Sequence, residues 1–143
     1  MTPQQILYSD SPLKTLPLPL LQEIYGAAKV VEMSSNDTVF TEGDASDGSL
    51  YMVVNGELAV LFNRADGSQE SKPKLRGELC GEAALVNKAQ TRIATVQVVS
   101  PSATLLHWDG NALLERPTMQ PLEKLLGSIA WTNTPETDDL KRF

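Results

Sequence analysis

The sequence predicts a mainly β domain, an antiparallel sandwich or barrel flanked by short helices. Two observations carry that prediction. Between Val30 and Trp108 the chain divides into short apolar runs, broken about every 8 to 12 residues by Gly, Asp, Asn or Pro. Within two of these runs apolar side chains alternate. Leu50, Met52 and Val54 alternate with Tyr51 and Val53 in SLYMVVNG, and Leu58, Val60 and Phe62 with Ala59 and Leu61 in GELAVLFN, the pattern of half-buried strands.

The elements then follow in order. After a proline-bearing opening, Leu20, Leu21, Ile24 and Tyr25 fall at helical spacing and predict an N-terminal helix over about 18–29. The β portion covers about 30–108. Asn55-Gly56 is expected to close a tight hairpin between the two alternating strands, and Asp66-Gly67 a second reversal, because such pairs tolerate the positive φ of type I′ turns. RIATVQVVS and ATLLHWD complete the strands. Asp109-Gly110 hands over to C-terminal helices over about 110–131, in which Leu122, Leu125, Leu126 and Ile129 share one face. That stripe is too short for a lasting coiled coil and reads as a helix packed on its own domain. Residues 132–143 form a polar tail, and the whole of 1–143 reads as a single domain.

Composition narrows the functional classes. A chain of 143 residues with 41% hydrophobic content can bury a core of its own. Twelve basic against 18 acidic residues give a net charge of −6, with no basic stripe, which argues against DNA binding by this chain alone. A single cysteine, Cys80, cannot form an intrachain disulfide or a cysteine-rich metal site, and it points to a reducing compartment. The opening MTPQQILYSD lacks the basic and apolar regions of a secretory signal, and no run reaches the length of a membrane span. A cytoplasmic location without membrane insertion is the expectation.

The chemistry concentrates in LRGELCGEAALVNKAQTRIATV, residues 75–96, where Gly-Glu-Ala-Ala-Leu stands eleven residues ahead of an arginine. Gly81 permits an unusual φ or a close backbone approach, and the small Ala83 and Ala84 leave their N–H groups accessible at the start of a helical turn near 82–86. Arg92 supplies a permanently charged planar fork suited to two phosphate oxygens. The carboxylate of Glu82 can accept a hydrogen bond from a sugar hydroxyl. Together these parts suit a sugar phosphate.

The segment resembles the phosphate-binding cassette of cyclic-nucleotide-binding domains, found in kinase regulatory subunits, nucleotide-gated channels and bacterial catabolite activators. VFTEGDASDGSLYMVVNGELAVL adds the family's glycine-punctuated strands, with Gly43, Asp44, Asp47, Tyr51 and Gly56 in the expected order, and Gly77-Glu78 resembles its Gly-Asp turn. The resemblance spans roughly residues 18–116. It implies an antiparallel β-roll (a double-stranded β-helix, or jelly roll) flanked by short N- and C-terminal helices. It also implies that Gly81, Glu82, Ala83, Ala84, Thr91, Arg92 and Ile93 surround the ligand, with Arg92 on the cyclic phosphate. Two positions depart from the pattern: Thr91 stands where many members have Pro, and Cys80 where they have a bulkier apolar residue. The family tends to place a hydroxyl after the arginine where guanine is favoured, so Ile93 tilts the expected ligand toward cAMP over cGMP.

Plainer readings compete. Glu82 and Arg92 could tie a loop to a strand as an ion pair. His107, the one histidine, reads as a packed or rim residue, and Cys80 as a small hydrophobe. Trp131 reads as core packing, with a cap over a bound base as the functional alternative. No metal site is expected, since a cupin-like centre needs several histidines and a haem or iron–sulfur centre more soft ligands. Nucleophile elbow and Walker loop are both missing, so no catalytic residue is assigned and no enzyme is expected. The sequence therefore predicts a noncatalytic regulatory domain, without a cofactor, that binds a cyclic nucleotide and relays occupancy through its C-terminal helices. Its candidate partners beyond the nucleotide are a second copy or an output protein. The alternative is a nucleotide-free β-roll serving as a protein-interaction or dimerisation module.

Overall fold

The structure, a computed structural model, describes residues 1–88 and 90–133, with 131–133 described by backbone alone. Helices flank two four-stranded antiparallel sheets. The order along the chain is α1 (Pro3–Ser9), a 3₁₀ turn (Pro12–Thr15), α2 (Leu18–Gly26), β1 (Lys29–Ser34), β2 (Thr38–Phe40), β3 (Ser49–Asn55), β4 (Leu58–Asn63) and β5 (Gln69–Lys74). There follow β6 (Leu79–Cys80), α3 (Glu82–Val86), β7 (Thr95–Val98), β8 (Ser102–Asp109), α4 (Gly110–Leu114), a second 3₁₀ turn (Pro117–Met119) and α5 (Gln120–Asn133). One sheet runs β1-β8-β3-β6, the other β2-β7-β4-β5. This is the antiparallel β-roll that the resemblance implied.

Helix α1 was not expected, yet its start is legible. Thr2 and Gln5 form a reciprocal capping box, the Thr2 hydroxyl accepting from Gln5 N–H at 3.1 Å, and Pro3 occupies the first helical position.

Two expectations about the strands need correcting. Asn55-Gly56 does not close a hairpin: β3 pairs with β8 and β6, whereas β4 pairs with β5 and β7, so the chain crosses between sheets at this point. Of the two residues only Gly56 has positive φ (+92°). A Cβ there would lie 2.5 Å from the Ser102 carbonyl oxygen, so the corner requires glycine. Asp66-Gly67 does close the β4–β5 hairpin, but only Gly67 takes positive φ, as in a type I turn ending in a left-handed residue rather than a type I′ turn.

The second correction concerns burial. Strand β3 is covered on both faces, not half-buried. Leu50, Met52 and Val54 pack under the helices with Ile24, Leu122 and Leu126, while Val53 joins Leu58, Val60, Val96 and Leu105 between the sheets. The near-continuous apolar run SLYMVV is the signature of such a strand. Strand β4 keeps the expected alternation, with Leu58, Val60 and Phe62 inward. Trp108 locks the helical layer to the roll: it is 1% exposed, and its indole N–H donates to the Ile24 carbonyl at 2.7 Å. Among the described residues no helix is long and apolar enough to cross a membrane.

Candidate ligand-binding site

The turn from β6 into α3 creates the site. Short β6 pairs Leu79 and Cys80 with Met52 and Tyr51, and the chain must then turn at once into α3. Gly81 makes the turn at φ +94°, ψ −6°. A Cβ on Gly81 would sit 2.6 Å from the Ser49 carbonyl oxygen and 3.3 Å from Arg92 Nη1. The absent side chain lets the arginine lie against the head of α3. Gly81→Ala is expected to cost about 1 to 3 kcal/mol through the left-handed backbone and the clash. Chemical denaturation measures it, and an unchanged midpoint would remove the glycine's assigned role.

Arg92 is carried by the segment opposite. Its backbone exchanges hydrogen bonds with residues 43–44 (Arg92 N–H to Asp44 O and Gly43 N–H to Arg92 O, both 2.9 Å), and Thr91 bridges Ala45. The side chain then runs inward and is 4% exposed. Nη2 donates to Asp47 Oδ1 at 3.0 Å and to the Ser49 carbonyl at 3.3 Å. The Phe40 ring covers the guanidinium, its centroid 4.1 Å from the central carbon. Nη1 is buried with no hydrogen-bond partner. A buried guanidinium nitrogen left without an acceptor costs free energy unless something supplies one.

The hollow beside this nitrogen has a volume of about 50 Å³ and opens to solvent. Gly81, Glu82, Ala83, Ala84, Arg92 and Ile93 all line it, so the structure brings together six of the seven residues predicted around the ligand. Thr91 is the exception: it is exposed and lies outside the lining, because its neighbour Arg92 takes the inward position of the alternating chain. Trp131 lies in the backbone of α5, and its side chain is outside the described residues. Glu82, at the first position of α3, is 4% exposed on the same wall.

Sequence reasoning missed four contributors. Phe40, Asp47 and Ser49 surround the guanidinium, and Lys74, at the end of β5, joins the lining. Asp47 had a local signal, since Asp-Gly-Ser is the composition of an Asx turn, here closed by Ser49 N–H to Asp47 Oδ1 at 2.9 Å. Its pairing with an arginine 45 positions away had none.

The electrostatics are asymmetric. Burial pushes the Asp47 carboxyl up, but hydrogen bonds from Ser49 and the Arg92 charge outweigh it and hold the group below the ordinary 3.8. A depressed folded value adds stability above the unfolded one and loses it as pH falls through the folded one, hence below 3.8. With the carboxylate 74% exposed, that contribution is small. Burial, aided by Glu82, pushes the Cys80 thiol up to about 12, so it stays protonated. Among the described residues no cluster of three or more His, Cys, Asp or Glu is placed to hold a metal ion.

A roll with a buried arginine beside a glycine-headed helical turn now has a match. Residues 30–116 correspond to the family described as Cyclic nucleotide-binding domain. The chain belongs to that family.

This cyclic-nucleotide-binding domain is 30% identical over 86 residues to the Pycsar effector protein RsmPycTIR of Rhodovulum sp. (strain MB263), covering 59% of this chain and 32% of that protein. It thus spans about a third of the curated relative's length. Among solved structures it is similar to the regulatory domain of Toxoplasma gondii PKA crystallised with cAMP (27% identity, 78% of this chain, 41% of that chain, TM-score 0.67). It is also similar to the N-terminal domain of a transcriptional regulator from Streptomyces coelicolor A3(2) (23%, 87% and 88%, 0.67). The sensor domain of the regulator DNR from Pseudomonas aeruginosa gives 20% identity over 98% of this chain and 92% of that one, at TM-score 0.70. The last two share the fold of the cyclic-nucleotide-binding domain.

Proposed function

We propose that the chain is a noncatalytic receptor for a cyclic mononucleotide, with cAMP ahead of cGMP, that passes occupancy to its C-terminal helices. One observation carries the reading: Arg92 Nη1 is buried without an acceptor at the edge of a hollow headed by Gly81. A cyclic phosphodiester brings one negative charge and the missing acceptor oxygens. Gly81, Ala83 and Ala84 at the head of α3 line the same space, and the Glu82 carboxylate on that wall supports a hydrogen bond from a ribose hydroxyl. Ile93, on the lining where a hydroxyl would favour guanine, supports the preference for adenine. The Toxoplasma domain crystallised with cAMP is the relative that supports this choice of ligand. The packing of α5 on α3, with Gly127 against Val86, supports a relay, since a shift of the phosphate-facing turn would push on the last helix. The buried free thiol fits a reducing, cytoplasmic setting.

A ligand at a hundred times its dissociation constant stabilises the fold by about 2.7 kcal/mol. Thermal melting with millimolar cAMP or cGMP should therefore show a clear upward shift, and calorimetry across cyclic mono- and dinucleotides should rank the ligands. No shift with any of them would leave the second reading, an interaction or dimerisation module without nucleotide. That reading draws on the Asp47 pair and the Phe40 ring, which already occupy part of the guanidinium.

A further inference from the structure

His107 stands on β8, on the face it shares with Ala103 and Leu105. Its Nε2 lies 2.8 Å from Ser49 Oγ. Ser49 is a junction. Its N–H donates to Asp47 Oδ1, its hydroxyl meets His107, and its carbonyl accepts from Arg92 Nη2. Two steps therefore separate the one imidazole of the chain from the guanidinium at the hollow.

The direction of the hydrogen bonds follows. Where Nε2 carries a proton it donates to Ser49 Oγ, which both the neutral Nε2–H tautomer and the charged ring can do. Protonation adds no clash at Ser49, only a charge and a second N–H at Nδ1.

We propose that His107 is a positioning residue for Arg92, its ring charge setting, through Ser49 and Asp47, how fully the guanidinium is free to hold an anion. This rests on the phosphate reading of the hollow. With the ring neutral, Asp47 accepts from Arg92 and from the Ser49 N–H. A charged ring draws on the same carboxylate, loosens its hold on Nη2, and raises the positive charge facing a ligand phosphate. Both effects strengthen anion binding as pH falls through the imidazole range. The charged groups around the ring are Lys29, directly across on β1, Asp47 through Ser49, and Asp109, two residues along β8. Tyr51, across on β3 with ring centroids 5.0 Å apart, stays neutral because burial pushes its phenol up. From β2, Phe40 reaches Tyr51 and carries no charge.

The test has two arms. In the protein without ligand, NMR follows the His107 imidazole and the Arg92 guanidinium nitrogens between about pH 5.5 and 8. The guanidinium signals should track the imidazole titration, and should stay flat in His107→Gln, which keeps an N–H for Ser49 but cannot charge. Guanidinium signals that ignore the imidazole in the wild type overturn the proposal without recourse to any variant. In the second arm, calorimetry with cAMP and cGMP should give about threefold to tenfold tighter binding at the acid end, a slope lost in His107→Gln. An equal slope in the variant overturns the proposal. If neither nucleotide binds at either pH, the phosphate reading falls, while the first arm still decides whether His107 governs Arg92.

Discussion

Arg92→Ala should weaken binding of the preferred cyclic nucleotide by about 2 to 5 kcal/mol, roughly thirtyfold to a few thousandfold, because it leaves a desolvated phosphate without its counter-charge. The same change should move the stability of the ligand-free domain far less. The lost ion pair is with an Asp47 carboxylate that is 74% exposed, and the substitution also removes a buried nitrogen that has no partner. Affinity and stability are thus expected to separate, with calorimetry reading one and thermal melting the other. Arg92→Lys should restore only part of the affinity, since an ammonium keeps the charge but not the fork. A loss under 1 kcal/mol in Arg92→Ala would contradict the role given to the guanidinium.

Trp108→Ala should have the opposite signature. The indole is 1% exposed within the helical layer, and its removal opens a large cavity at the seam between α2 and the roll. A cost of about 3 to 5 kcal/mol is expected. At about 3 °C per kcal/mol for a chain of this size, the melting midpoint should fall by roughly 10 °C or more. Trp108→Phe keeps most of the volume and loses the hydrogen bond to Ile24, whose carbonyl still accepts from Ala27 N–H at 3.2 Å. It should cost about 1 kcal/mol plus a smaller packing defect. A melting midpoint in Trp108→Ala within a degree or two of the wild type would show that the helices are not anchored there.

The contrast between these residues bears on what the sequence could reveal. Gly81, Glu82 and Arg92 were legible because each has a chemical meaning at its own position: a residue without a side chain, a carboxylate, a guanidinium, at a spacing that brings them together. Strand periodicity likewise announced the inward face of β4. What stayed hidden depends on contacts across long stretches of chain. The ring of Phe40 over Arg92 joins positions 52 apart, and the carboxylate of Asp47 reaches the same guanidinium over 45. The Asn55-Gly56 corner shows the other limit. Positive φ at Gly56 was foreseeable, but a tight turn between two apolar strands looks the same whether they pair or part, and only the Ser102 carbonyl pressed against the glycine decides. The double burial of β3 was written in its unbroken apolar run from Leu50 to Val54.

The sulfur of Cys80 has a consequence of its own. It lines the hollow beside Arg92, yet with burial pushing the thiol up to about 12 it offers almost no thiolate at neutral pH. A thiol this deeply buried and held protonated reacts slowly with peroxide or an electrophile while the roll is folded, and unfolding exposes it to both.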